Sequence, residues 1–220
     1  MENIKNNLLN YYRKNEGLDK LRTVENIIRK NCKIMKEKPV IFHSHTIVLY
    51  NIRTYLQDKF NINNAVYLEI GSMLGASAGL MLRHPFNTEV ICIDPCFTHR
   101  HKKKYDLLQL NLKDNNINNY NFKVYKNFSQ DKDVLNKFKK NQLDILFIDG
   151  DHKYNAVIND FNNYKDFVKS GGFIVFDDYL DYKYSPDVKK AVDDITESLK
   201  KTKEYEIIGN IENEFILFKI

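Results

Sequence analysis

The chain has 220 residues with a formal net charge of +5, and 43% of its residues are hydrophobic. That length allows one substantial core, so one domain is the expectation, and the composition excludes a disordered chain. The positive charge is scattered, with short clusters at residues 100–104 and 200–203 that read as solvated helix faces, so a nucleic-acid partner is not indicated.

No run of 18 apolar residues occurs, and the N-terminus, with Glu2, Lys5, Asn6 and Asn7, lacks the apolar centre of a signal peptide. The expectation is a soluble, cytoplasmic protein without a membrane partner. Cys32, Cys92 and Cys96 show no C-x-x-C pair or repeated metal-ligand spacing and read as free thiols. Ile4, Leu8, Leu9 and Tyr12, then Leu18, Leu21, Val24, Ile27 and Ile28, recur at three- and four-residue intervals. That spacing predicts two amphipathic helices within residues 2–38. Residues 1–60 then form a helical segment, a lid or a packing layer for a core at 65–220, the whole being one domain over 1–220.

From residue 65, short apolar runs alternate with helix-period segments. Strands are predicted at 65–70, 89–93, 121–125, 143–148 and 172–176, and helices at 76–83, 102–112, 132–139 and 156–168. The alternation implies an α/β fold, a Rossmann-like doubly wound sheet, mostly parallel and covered on both faces. A further helix at 186–201 leads to strand-like segments at 205–208 and 214–219, separated by 209–213. They predict a hairpin that closes one sheet edge with a reversed C-terminal strand. Gly171 and Gly172 read as a helix stop and a tight turn into the next strand.

In the segment Val66-Tyr67-Leu68-Glu69-Ile70-Gly71-Ser72-Met73-Leu74-Gly75-Ala76-Ser77, the first strand turns into a helix with a carboxylate and two glycines at the turn. Glycine lets backbone approach a ligand, and the helix start offers free N–H groups. The spacing is neither G-x-G-x-x-G nor a phosphate loop, and alone it fits an ordinary strand-to-helix turn equally well. Asp94 ends the second strand, where a carboxylate can accept from a ribose diol or cap the following loop. Glu69, Gly71, Gly75 and Asp94 together are more specific than any one of them.

A second corner is acidic. Asp149, Asp151 and His152 end the fourth strand, and Asp177, Asp178 and Tyr179 end the fifth. Neighbouring parallel strands bring these groups together, where three carboxylates repel unless a cation is bound. Oxygen ligands suit Mg²⁺, Mn²⁺ or Ca²⁺ better than Zn²⁺, with Mg²⁺ (or Mn²⁺) leading. Asp151 ranks below the others, as a capping or supporting residue. His152, with an ordinary pKa of ~6.5, offers a neutral imidazole as a proton acceptor, or else a structural loop histidine.

Residues 66–178 resemble the class I S-adenosylmethionine-dependent methyltransferases, and within them the metal-dependent O-methyltransferases of the catechol and macrolide-sugar types. The segment Asn127-Phe128-Ser129-Gln130 is similar to the catechol-type segment whose Ser and Gln face adenine. The resemblance implies S-adenosylmethionine as cofactor, held by Glu69, Gly71, Ser72, Gly75, Ser77, Asp94, Ser129 and Gln130. Ser77 matches a position that contacts the methionine carboxylate. It further implies Asp149, Asp177 and Asp178 as metal ligands, with Asp149 and His152 in the catalytic machinery. Asp at 178 and His at 152 agree with the sugar-methylating branch, where the catechol type has Asn and Lys.

The implied reaction methylates a hydroxyl of a small molecule, a sugar or glycoside first and a catechol or phenol second. A non-catalytic binding protein on the same fold stays open, as does a homo-oligomer. His43 and His45, ahead of the core, could reach a substrate; His84, His99 and His101 carry no comparable motif.

Overall fold

The computed structural model describes residues 3–39, 46–97 and 103–220. His43, His45, His99 and His101 therefore lie outside the described residues. The two amphipathic patterns form α1 (Ile4–Arg13) and α2 (Leu18–Met35). After them comes a helix that periodicity did not reveal, α3 (Ile47–Phe60). Ile47, Val48, Leu49, Tyr50, Asn51, Ile52 and Arg53 are consecutive buried residues in it, so it has no polar face at its start to mark a helical repeat.

The core follows as β1 (Asn64–Ile70), α4 (Ala76–Leu82), β2 (Asn87–Ile93), α5 (Lys104–Asn115), β3 (Phe122–Tyr125) and the short α6 (Lys132–Leu135). It continues with β4 (Leu143–Ile148), α7 (Tyr154–Tyr164), β5 (Val168–Phe176), α8 (Pro186–Leu199), β6 (Tyr205–Ile211) and β7 (Glu214–Lys219). The seven strands make one sheet in the order β3-β2-β1-β4-β5-β7-β6. β1 to β5 run parallel, and β7 is antiparallel to both its neighbours. This is the doubly wound sheet with a reversed strand that the alternation predicts.

Among the boundaries that differ from the sequence reading, two involve glycines. Gly171 and Gly172 lie inside β5, within a register shift against β4, rather than ending a helix. β6 extends to Ile211 and carries Gly209 at a register shift, so the predicted 209–213 loop shrinks to Glu212 and Asn213. A bulge absorbs each glycine into its strand, where the sequence pattern suggested a break.

Strand alternation sorts the core into two layers. Leu68, Ile70, Ile91, Ile93, Leu146, Ile148, Ile174 and Phe176 face Phe161 and Tyr164 of α7 and Val188, Val192 and Ile195 of α8. Tyr67, Val90, Cys92, Ile145, Phe147, Phe173 and Val175 face Leu8 of α1, Leu49, Ile52 and Leu56 of α3, Met81 of α4 and Leu112 of α5. Truncating a fully buried aromatic such as Phe147 would cost roughly 3–5 kcal/mol. α1 packs on α3 and touches β6, while α2 packs on α4 and α5. Among the described residues no helix is long and apolar enough to cross a membrane.

β1 leads outward through β2 to β3, and β4 leads the other way to β5. The winding reverses between β1 and β4, which opens a crevice at their carboxyl ends.

Candidate functional site

At that reversal Gly71 donates its N–H to the Ile93 carbonyl at 2.9 Å, and Asp149 donates its N–H to the Ile70 carbonyl at 2.9 Å. Gly71 has φ +90°, and a Cβ there would lie 1.8 Å from the Asp149 carbonyl oxygen. Both the backbone conformation and the space demand glycine. Gly75, at φ +79°, starts α4, and a Cβ on it would meet Leu108 Cδ1 at 2.8 Å. The tight turn between them is closed by the Gly75 N–H to the Ser72 carbonyl at 2.6 Å.

A cavity of about 930 Å³ opens over this edge. Gly71, Asp94, Ser129, Gln130, Asp149 and His152 line it, so it spans both corners expected from the sequence. The other expected residues sit differently. Glu69 is completely buried on the α4 side, accepting from Ser77 Oγ at 2.6 Å and Tyr67 Oη at 2.7 Å. Burial pushes its pKa up, against the hydrogen bonds that favour the carboxylate. Ser72 is buried beside it. The structure thus joins Glu69 to Ser77 beneath the turn.

Asp94 is also enclosed. Its Oδ1 accepts from the Cys96 N–H at 2.6 Å and its Oδ2 from the Met73 N–H at 2.9 Å, while Lys104 Nζ lies 2.9 Å from both oxygens. The two side chains are 3% and 8% exposed, so this is a buried ion pair with its remaining acceptors satisfied. Lys104, on α5, was not foreseen; in sequence it belongs to a basic cluster that reads as a solvated face.

In the acidic corner His152 bridges two carboxylates. Its Nε2 is 3.3 Å from Asp149 Oδ1 and its Nδ1 is 3.2 Å from Asp178 Oδ2. Ser185 Oγ, just before α8, lies 2.7 Å from His152 Nδ1 and donates to Asp178 Oδ2 at 2.8 Å. With its single proton committed to Asp178, Ser185 accepts from Nδ1–H, which leaves Nε2 facing Asp149. Asp178 has φ +58°, a left-handed conformation that Asp tolerates better than most residues.

The hydrogen bond with Asp149 raises the His152 pKa to about 9, so this arrangement holds a cation at neutral pH. Two flanking carboxylates therefore favour the protonated imidazole as this site stands. Asp149 is itself pushed well above the usual carboxylate range, by burial first and by the charge of Asp177 next. Asp178 shifts the same way for the same two reasons.

Glu214 joins this corner unannounced. The antiparallel pairing of Phe176 with Phe215 sets it beside the end of β5, and it is completely buried. Its pKa is raised well above normal by burial, then by Asp177. In sequence it looks like the first residue of an edge hairpin. Among the described residues, no group of three or more His, Cys, Asp or Glu side chains stands ready to hold a metal ion.

Comparisons with known proteins agree with this architecture. Residues 68–179 match the family described as "Methyltransferase domain". An uncharacterized protein of Acanthamoeba polyphaga mimivirus is 38% identical over 179 residues, covering 78% of this chain and 77% of its own. The O-methyltransferase from Bacillus cereus, solved in complex with SAH, superposes with a TM-score of 0.60 at 17% identity, covering 89% of each chain. The O-methyltransferase NovP gives 0.59 at 17% identity, over 90% of this chain and 98% of its own. SAH-bound methyltransferase PaMTH1 of Podospora anserina gives 0.60 at 12% identity over 88% of each.

Proposed function

The chain belongs to the methyltransferase-domain family, and we propose that it moves the methyl group of S-adenosylmethionine onto a hydroxyl oxygen of a small molecule. One observation carries this reading: a single cavity runs from the Gly71 turn and Ser129 to Asp149 and His152. A cofactor and an acceptor can therefore meet inside it. The SAH-bound structures of similar fold support the choice of cofactor.

In the proposed transfer the acceptor oxygen attacks the sulfonium methyl in line. The new C–O bond forms as the C–S bond breaks, leaving S-adenosylhomocysteine. Gly71 gives the cofactor a close backbone approach. His152 takes the hydroxyl proton at Nε2, the nitrogen not committed to Ser185, while Ser185 and Asp178 hold the ring in place. A base at this position must first be relieved of the proton that its carboxylate neighbours stabilise.

A hard divalent cation, Mg²⁺ or Mn²⁺, would be held by Asp149, Asp177 and Asp178, whose side chains, among the described residues, are not gathered into a ready-made metal site. The mutual charge that raises Asp149 and Asp178 is what such an ion would neutralise. Bound there, it would supply a Lewis acid for the acceptor oxygens and the positive charge that now resides on the imidazole.

The acceptor we favour is a sugar or glycoside with two neighbouring oxygens. Its support is Asp178 and His152, which match the sugar-methylating branch. Incubation with labelled S-adenosylmethionine, Mg²⁺ and a panel of glycosides, sugar nucleotides and catechols tests the assignment. Label on glycosides alone supports it; label on catechols alone replaces the acceptor class, and label on neither removes the activity.

A further inference from the structure

One wall of the cavity carries a carboxylate that the transfer chemistry does not use. Asp160, on α7, is 4% exposed and lines the cavity with Phe128, Ser129 and Gln130. Its Oδ1 accepts from Ser129 Oγ at 2.5 Å, and Ser129 is its one hydrogen-bond partner among the described residues. The carboxylate stands over the thin backbone at Gly150, where an added Cβ would lie 3.3 Å from Asp160 Oδ2. Tyr164 Oη donates to the Ser129 carbonyl at 2.7 Å, fixing the loop that presents the serine.

A carboxylate so enclosed is costly unless a donor completes its hydrogen bonding, and the cavity it lines is open to a ligand donor. The rest of the inference builds on the proposed cofactor. Its sulfonium must point toward Asp149 and His152, so its base extends along the other lining residues. The hydrogen-bond donor on an N9-linked adenine is its exocyclic amine. We propose that Asp160 selects the cofactor's base by accepting a hydrogen bond from that amine at Oδ2, with Ser129 orienting the carboxylate.

The proposal has a chemical corollary. Hypoxanthine replaces the amine with a carbonyl oxygen, which would face the carboxylate acceptor to acceptor. The wild-type protein therefore prefers S-adenosylhomocysteine to S-inosylhomocysteine, and Asp160→Asn, whose amide can turn a donor toward the carbonyl, removes that preference.

Calorimetric titration of both ligands into wild-type and Asp160→Asn protein tests this. The expected result is a wild-type preference of roughly 10- to 100-fold for the adenine ligand, the range of one charge-assisted hydrogen bond. In the variant the adenine ligand loses most of that factor while the hypoxanthine ligand holds or tightens. Equal losses for both ligands mean a structural role and overturn the proposal. The wild-type comparison stands even if the variant does not fold: S-adenosylhomocysteine binding without base preference overturns the selection by Asp160 alone, whereas binding of neither ligand overturns the cofactor reading with it.

Discussion

The two corners of the cavity use the same residue types to opposite ends. In the nucleotide corner each carboxylate has its own donors: Glu69 has Ser77 and Tyr67, and Asp94 has Lys104 and two backbone N–H groups. In the acidic corner Asp149, Asp177 and Asp178 share the field of one imidazole, and Glu214 lies in the field of those carboxylates. The first corner is finished as folded and holds its shape by internal pairing. The second gathers carboxylates whose pKa values are raised by burial and by one another, and perturbed groups of this kind are a mark of the chemical end of a site.

Removing the proposed cation should have the largest effect. Exhaustive chelation with EDTA is expected to abolish turnover, Mg²⁺ or Mn²⁺ to restore it, and S-adenosylhomocysteine affinity to survive, since the paired corner needs no cation. Full turnover in the chelated enzyme would erase the proposed contrast. Next in size, His152→Ala should slow single-turnover methyl transfer by roughly 10²–10⁴-fold with folding and cofactor affinity retained. A wild-type rate in that variant would make His152 a structural bridge only.

The paired corner should respond in stability. Asp94→Ala leaves the Lys104 ammonium buried without its carboxylate, and a loss of about 3–5 kcal/mol is expected in denaturant titrations. Replacing both partners, Asp94→Leu with Lys104→Met, should recover most of it. If Asp94→Ala instead weakens S-adenosylhomocysteine binding at unchanged stability, Asp94 serves the ribose more than the fold.

The smallest effect concerns a group outside both corners. His84 is completely buried, and burial lowers its pKa from 6.5 to about 3. The unfolded chain binds this proton more readily, so the contribution is full above pH 6.5 and is lost as pH falls toward 3. Between pH 7.5 and 5, wild type should lose about 2 kcal/mol more than His84→Gln, which corresponds to 1.5 pH units below the unfolded pKa. Equal losses would place the protonation elsewhere.

Legibility in the sequence followed distance along the chain. β1, β2 and β4 were readable because continuous apolar runs end in Gly or Asp, and those same ends announced Gly71, Asp94 and Asp149. α3 was not, because its first turns are buried all round and even Arg53 is enclosed, donating to Thr88 and to the Asn63 and Asn87 carbonyls. In the site, residue types were visible but partners were not. Ser185 and Asp160 were not singled out because what distinguishes them is a distant partner: His152, 33 positions from Ser185, and Ser129, 31 positions from Asp160.

The sheet order has a consequence for how the molecule is made. β6 is synthesised before β7 yet sits outside it, and β7 is its sheet neighbour. Until Glu214–Lys219 is seated between them, Tyr205–Ile211 has no sheet neighbour and β5 shows an open edge. While β7 is unseated, two bare edges are open to capture by other chains. A released chain truncated before β7 should be protected from protease in β1, β2 and β4 and cut readily around β6, and it should aggregate more readily than the full chain.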